Sequence, residues 1–231
     1  KKKKNIWSAR LFNSKYDGTI PSVVAVNKEA GFSIVKTGTS NSIETVGHGL
    51  GLVPKLIISK PLDVSADWIV WTEGFTNLQG LALNNNAAKF TNGSFKTVTS
   101  VSTTTIGLGR QMLSSNDFGG ASGEIIHYIF ADIAGYSKIG SYIGTAAAGN
   151  FQYTGFQPSW LMVKCSSASS RNWVIVDDKR GNSDYWLYPN TSDDEEGPYS
   201  DIVFNSTGFT LGTNASYVNG SGDTYIFLAI A

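Results

Sequence analysis

Residues 46–54, Val-Gly-His-Gly-Leu-Gly-Leu-Val-Pro, set His48, one of 2 histidines in the chain, among three glycines. Glycines that cradle a phosphate follow a strand and open a helix, so that the amides of the helix N-terminus meet the anion. Here Pro54 follows, and then a β-branched apolar run from Leu56. The segment therefore reads as a turn that feeds a strand. As a general base, His48 would need a nucleophile and an orienting acid, and no such pair stands out. A turn histidine bonded to nearby backbone is the simpler expectation.

Carboxylates offer a second chemistry. Asp177 and Asp178 close the run Val-Ile-Val, and paired carboxylates divide acid and base roles in glycoside cleavage. Neighbours along a strand point to opposite faces, however, which keeps these two from sharing one substrate. Asp193, Asp194, Glu195 and Glu196 crowd a single loop without the alternating oxygen spacing of a calcium site, and they read as a solvated acidic loop. One cysteine, Cys165, cannot form an internal disulfide, and with 2 histidines it cannot build a zinc centre of the usual kind. No catalytic residue, metal site or cofactor is assigned, and no enzymatic activity is expected.

Aromatic residues suit binding better. A sugar needs a flat apolar partner and fixed hydrogen bonds at its hydroxyls. Tyr185, Trp186 and Tyr188 stand together beside Asn190, and Trp71 is a further isolated indole. These five residues, Trp71, Tyr185, Trp186, Tyr188 and Asn190, are the candidate glycan contacts.

The elements that must position them are strands. Charged residues are 16% of the chain and aromatics 12%, with abundant Gly, Ser, Thr and Asn, which favours short strands joined by turns over helices. Even Glu-Ile-Ile-His-Tyr-Ile-Phe, from Glu124, is richer in β-branched and aromatic residues than an amphipathic helix requires. The strand-like runs also repeat in order. Pro54 matches Pro158, Gly51 matches Gly155 and Lys60 matches Lys164 at one offset, and Trp68 matches Trp173 one residue later. Trp71 aligns with Val176, so that indole belongs to one copy alone. A period of about 100 residues is a duplicated domain and not a solenoid. The expected fold is all-β, with two tandem antiparallel β-sandwich (jelly-roll-like) modules: a lead-in or linker over 1–30, a first module over 31–137 and a second over 138–231.

Eighteen basic and 18 acidic residues give a formal net charge of zero, so no whole-chain field points to nucleic acid. The four lysines at residues 1–4 read as a solvated end. No stretch is long and apolar enough to span a membrane, so no membrane insertion is expected. The chain starts on lysine and not methionine, as a processed piece of a longer protein would.

Three segments carry a resemblance: AGFSIVKTGTSNSIETVGHGLGLVPKLIISK, FADIAGYSKIGSYIGTAAAGNFQYTGFQPSWLMVK and FNSTGFTLGTNASYVNGSGDTYIFLAIA. With YPNTSDDEEG they make the chain, from about residue 22 onward, similar to tail fibre-like proteins of marine tailed bacteriophages. The resemblance implies a virion structural protein on a fibre, spike or other surface appendage. Its implied partners are other virion proteins, further copies of itself, with a homo-oligomer and above all a trimer favoured, and a host cell-surface glycan. The alternatives are a polysaccharide depolymerase and a purely architectural capsid or tail decoration.

Overall fold

The computed structural model describes residues 10–15, 17–92, 97–113, 123–180, 184–212 and 215–231. The lysine cluster at 1–4 lies outside the described residues. The chain is all-β: the helices among the described residues are two single turns, Arg110–Leu113 and Ser216–Asn219. It divides into two compact units, one running to Ala82 and resuming over Phe90–Asp132, the other made of Leu83–Lys89 and Ile133–Ala231.

Among the described residues, eleven strands build the first unit. They are β1 (Arg10–Lys15), β2 (Ser22–Asn27), β3 (Phe32–Gly38), β4 (Glu44–Gly47), β5 (Leu56–Pro61), β6 (Ile69–Thr72), β7 (Gln79–Ala82), β8 (Phe90–Thr91), β9 (Val98–Val101), β10 (Thr105–Leu108) and β11 (Glu124–Phe130). Eight form one sheet in the order β1-β2-β3-β11-β5-β6-β7-β8, and three form a second, β4-β10-β9. The named pairings are antiparallel. The strands β1 and β2 fall within the residues expected to be a lead-in. Register pairing from Ser22↔Thr37 to Asn27↔Phe32 joins β2 to β3, and β1 pairs in turn with β2, so both are part of this sheet.

Period-two alternation decides the core. Along β11, Ile125, His127 and Ile129 are buried while their neighbours stay partly exposed. They pack with Val24, Val35, Val46, Ile57, Ile69, Trp71, Ile106 and Leu108 from both sheets. His127 is the polar member of that row. Its Nδ1 lies 2.7 Å from the Ser59 hydroxyl and its Nε2 3.1 Å from the Thr37 hydroxyl. Burial lowers its pKa to about 3, so the ring is neutral at ordinary pH.

The second unit comprises β12 (Ser137–Ile143), β13 (Asn150–Tyr153), β14 (Trp160–Cys165), β15 (Val174–Asp177), β16 (Ile202–Asn205), β17 (Gly208–Leu211) and β18 (Thr224–Ile230). Its sheets run β12-β18-β14-β15 and β13-β17-β16. Strand for strand this repeats β3-β11-β5-β6 and β4-β10-β9 of the first unit. The core is aromatic: Tyr142 stacks on Tyr225 at 5.1 Å, and Phe209 meets Phe227 edge-on at 5.2 Å. Gly51 and Gly155, matched in the repeat, both hold positive φ, 75° and 85°, at the turn into the middle strand, where a Cβ would be strained. Trp68 and Trp173 both precede a strand, but only Trp173 is fully buried; Trp68 is half-buried and stacks on Tyr128 at 6.1 Å.

Buried Asn219 ties the second unit together. Its Nδ2 donates to the carbonyls of Ala147 (3.0 Å) and Gly212 (2.7 Å), and its Oδ1 accepts from the Thr145 amide and Asn150 Nδ2, both at 2.9 Å. All four hydrogen-bonding positions of the amide are used. Asn219→Leu keeps the branched shape but strands those partners, and should destabilise the second unit by on the order of 3 kcal/mol in urea unfolding. An unchanged midpoint would contradict this role.

His127 gives a pH prediction. A histidine with a depressed folded pKa contributes stability that is complete above its unfolded value near 6.5 and is lost as pH falls towards about 3. Thermal stability of the first unit should therefore decline between those limits, while the His127 ring resonances in NMR stay those of neutral imidazole down to pH 4. Ring titration near pH 6 would refute it.

Candidate functional site

A cleft of about 440 Å³ opens in the first unit. Its lining comes from three adjacent pieces: Trp71 of β6, the turn residues Phe75, Thr76 and Asn77, and Val98 to Val101 of β9. In its own sheet β9 is an edge strand, so one side of the cleft is a strand with a free flank. Thr97 joins the two walls. Its amide donates to the Asn77 carbonyl at 2.7 Å, and its hydroxyl reaches the Gln79 carbonyl at 2.8 Å. Gln79 closes the turn from the other side, with its amide donating to the Thr76 carbonyl and its Oε1 accepting from the Thr76 amide, both at 3.1 Å.

The lining has two chemical characters. Trp71, Phe75, Val98 and Val101 are apolar, and Thr76, Asn77, Thr99 and Ser100 carry hydroxyl or amide groups. A methyl on Gly107 would collide with the hydroxyls of Thr99 and Ser100, so glycine at that position in β10 lets both sit where they do. Trp71 is 7% exposed, and its Nε1 is buried with no hydrogen-bond partner among the described residues. An unpaired buried donor costs roughly 1–3 kcal/mol; Trp186 Nε1 in the core of the second unit is unpaired as well, so what sets Trp71 apart is its place in the cleft lining. Trp71 is the one predicted contact residue that lines the cleft.

The other four lie in the second unit and do not join it. Trp186 and Tyr188, expected to offer ring faces to a sugar, are 2% and 7% exposed and belong to the core. The expectation is corrected for a physical reason: Trp186 packs on Tyr199 at 4.8 Å, and the Tyr188 hydroxyl donates to Glu196 Oε2 at 2.8 Å, so neither ring has a free face. Asn190 is a strand clamp. Its Oδ1 accepts from the Trp173 amide at 2.8 Å and its Nδ2 donates to Asn172 Oδ1 at 2.9 Å. Tyr185 is half-buried next to them.

The side chains of Asp177, Asp178, Glu195, Glu196 and His48 are engaged in hydrogen bonds and ion pairs. Asp177 accepts from Arg180 Nε at 2.8 Å and from the amides of Lys179 and Arg180. Burial alone would raise its pKa, but these donors outweigh burial and lower it. Asp178 pairs with Lys179 at 2.9 Å, and Arg180 also reaches Glu195 at 3.1 Å. Tyr199 joins Tyr188 on Glu196. No group of three or more His, Cys, Asp or Glu side chains among the described residues is placed to hold a metal ion. His48 is buried, accepts from the Leu50 amide on Nδ1 at 3.3 Å and so carries its proton on Nε2, 3.2 Å from the Ser102 carbonyl. It fastens its own turn and ties it to the turn between β9 and β10.

Sequence patterning gave no signal for Lys164. It was visible only as the partner of Lys60 in the repeat, yet it is fully buried, with Nζ donating to the Cys165 carbonyl at 2.7 Å. Burial lowers its pKa to about 8. Its contribution to stability is therefore complete above the unfolded value of 10.5 and is lost as pH falls through about 8. Raising the pH from 8 to 10 should stabilise the second unit by a few kcal/mol, and Lys164→Met should remove this slope and raise stability at neutral pH. A variant that melts with the parent's pH profile would refute the assignment.

No curated protein and no solved structure matches the chain. A family model described as Domain of unknown function (DUF7483) matches residues 6–231, and the chain belongs to that family.

Proposed function

We propose that this protein is a structural component of a phage virion appendage, a tail fibre or spike, and that it contributes to recognition of glycans on the host surface. Two things support the reading. One is the sequence resemblance, which runs through both halves of the chain. The other, and the observation that carries the binding role, is the cleft beside Trp71: an aromatic and aliphatic floor rimmed by Thr76, Asn77, Thr99 and Ser100. Apolar ring contact plus a few placed hydroxyl and amide groups is what a sugar requires. Its size fits one or two sugar residues and not a protein segment. The cleft is specific to the first copy of the duplicated domain, because Val176 stands where Trp71 stands in the other.

A single shallow site of this kind binds weakly. Presentation on a homo-oligomer, with a trimer favoured, supplies avidity without new contacts. The other virion proteins of the appendage are then the permanent partners, and the glycan the transient one.

Ser100 is exposed on β9 and lines the cleft, so Ser100→Trp fills the cleft without entering the core. The purified oligomer carrying it should bind host cells at least tenfold more weakly than the parent, at unchanged melting temperature. Antibodies against the chain should decorate the appendages of intact virions. Equal cell binding by the variant, or labelling confined to the capsid shell, would refute the proposal.

A further inference from the structure

The outer face of the sheet β13-β17-β16 in the second unit forms a small grid. Register pairs Phe151 with Thr210 and Thr210 with Val203 in one row; the next row is Tyr153, Gly208 and Asn205. Neighbours across a row lie about 5 Å apart and neighbours along a strand about 7 Å. Phe151 is 45% exposed, Tyr153 68% and Val203 47%. Such exposure of two rings side by side on a regular sheet is unusual, since the same sheet's inner face buries Phe204, Phe209 and Leu211 in the core. Gly208 shapes the platform: a methyl there would lie 2.9 Å from Phe151 Cζ. The ring therefore leans over the glycine.

Beside the rings sits an oriented polar pair. Asn205 Nδ2 donates to Thr210 Oγ1 at 2.8 Å and to the Val203 carbonyl at 3.2 Å. The carbonyl contact fixes which end of the amide is nitrogen. Both amide protons are then used, and Asn205 Oδ1 is left as an acceptor. Thr210 Oγ1 accepts from Asn205, and its own proton remains to be donated. An acceptor and a donor held next to each other, beside flat apolar rings, match the alternating hydroxyls and the C–H face of a sugar. The two rows bear no ionised side chain, and the carboxylate of Asp201 lies one step beyond Val203 beside Gly212, so the rows themselves suit a neutral partner.

The corresponding row of the first unit is Thr45, Gly107 and Ser100. It has no ring, and Thr19 covers Thr45 by donating its amide to Thr45 Oγ1 at 2.9 Å. The open aromatic grid is a property of the second unit.

We infer that the Phe151–Tyr153 face, with Asn205 and Thr210, is a second carbohydrate site that takes a neutral glycan chain. It rests on the reading of the protein as a glycan-recognising appendage component and adds a platform separate from the Trp71 cleft.

Affinity electrophoresis of the full chain through gels containing dextran, laminarin or agarose tests it, alongside sedimentation velocity. Phe151→Ser and Tyr153→Ser alter exposed side chains and leave the core intact. The parent should be retarded by at least one of these neutral polysaccharides, each variant should lose that retardation at least tenfold, and all should sediment alike. Saturation-transfer NMR with an oligosaccharide of the retarding polymer should mark the Tyr153 ring. Equal retardation of parent and variants would overturn the site while leaving glycan recognition standing. A parent that ignores the neutral polymers but binds charged host-envelope polysaccharide would overturn it in the same way. Variants that sediment as smaller species with unchanged retardation would make the face an interface between copies. Failure of the parent to bind any polysaccharide or envelope preparation would overturn the site and the function together.

Discussion

In each unit the last strand sits in the middle of the sheet, and everything else depends on that placement. The strand β11 hydrogen-bonds to β3 on one side and β5 on the other, and β18 does the same between β12 and β14. A unit cannot close its main sheet until its most distant segment has arrived, so the chain must bear the full entropy of a long loop before that ladder forms. The inward side chains of the closing strand are buried with those of its neighbours, and Ile125, Ile129, Tyr225 and Ala229 are wholly enclosed. Once it is in place, the flanking strands have fixed registers. The smaller sheet then needs only to cover one apolar face.

The two copies share this scaffold and differ at the positions that face solvent or a cleft. Trp71 and Val176 occupy matched places in β6 and β15. The indole leaves a gap beside it in one unit; in the other, Trp186, Tyr188 and Tyr199 from the segment after β15 fill the core. The outer faces of the small sheets diverge as well, hydroxyl and glycine in one copy and aromatic in the other. Function sits on differences grafted onto one fold, which is why two unlike candidate surfaces can coexist on a duplicated domain.

Much of the fold was legible in the sequence. The β-branched runs, the turn glycines and the matched Pro54 and Pro158 gave strands, order and repetition, because backbone geometry writes itself locally. The candidate site was far less legible. Trp71 stood out by its lack of a counterpart, but the residues that line the cleft with it, Thr99 and Ser100, come from a strand with no mark of its own. Trp186 and Tyr188 misled because an aromatic cluster among polar residues looks the same whether the rings point out or in; only the bridges Ile175↔Leu187 and Trp186↔Glu196, which fold that segment back onto the sheet, decide it. Phe151 and Tyr153 carry no mark in the sequence that sets them apart from other aromatic residues. Their exposure follows from which face the partner strands leave open, and that is a three-dimensional fact.

The placement of the closing strand also has a mechanical side. Ser137, the first residue of β12, lies opposite Ile230, the last of β18, so the second unit's two ends meet at one end of an antiparallel pair. Tension applied through those ends would peel the pair one hydrogen-bonded step at a time, like a zipper, instead of shearing all of its bonds together. A unit built this way opens under small pulling forces along its own backbone, however stable it is at rest. In an assembly that must bear load, force has to pass sideways through the faces of the unit and not along the chain that threads it.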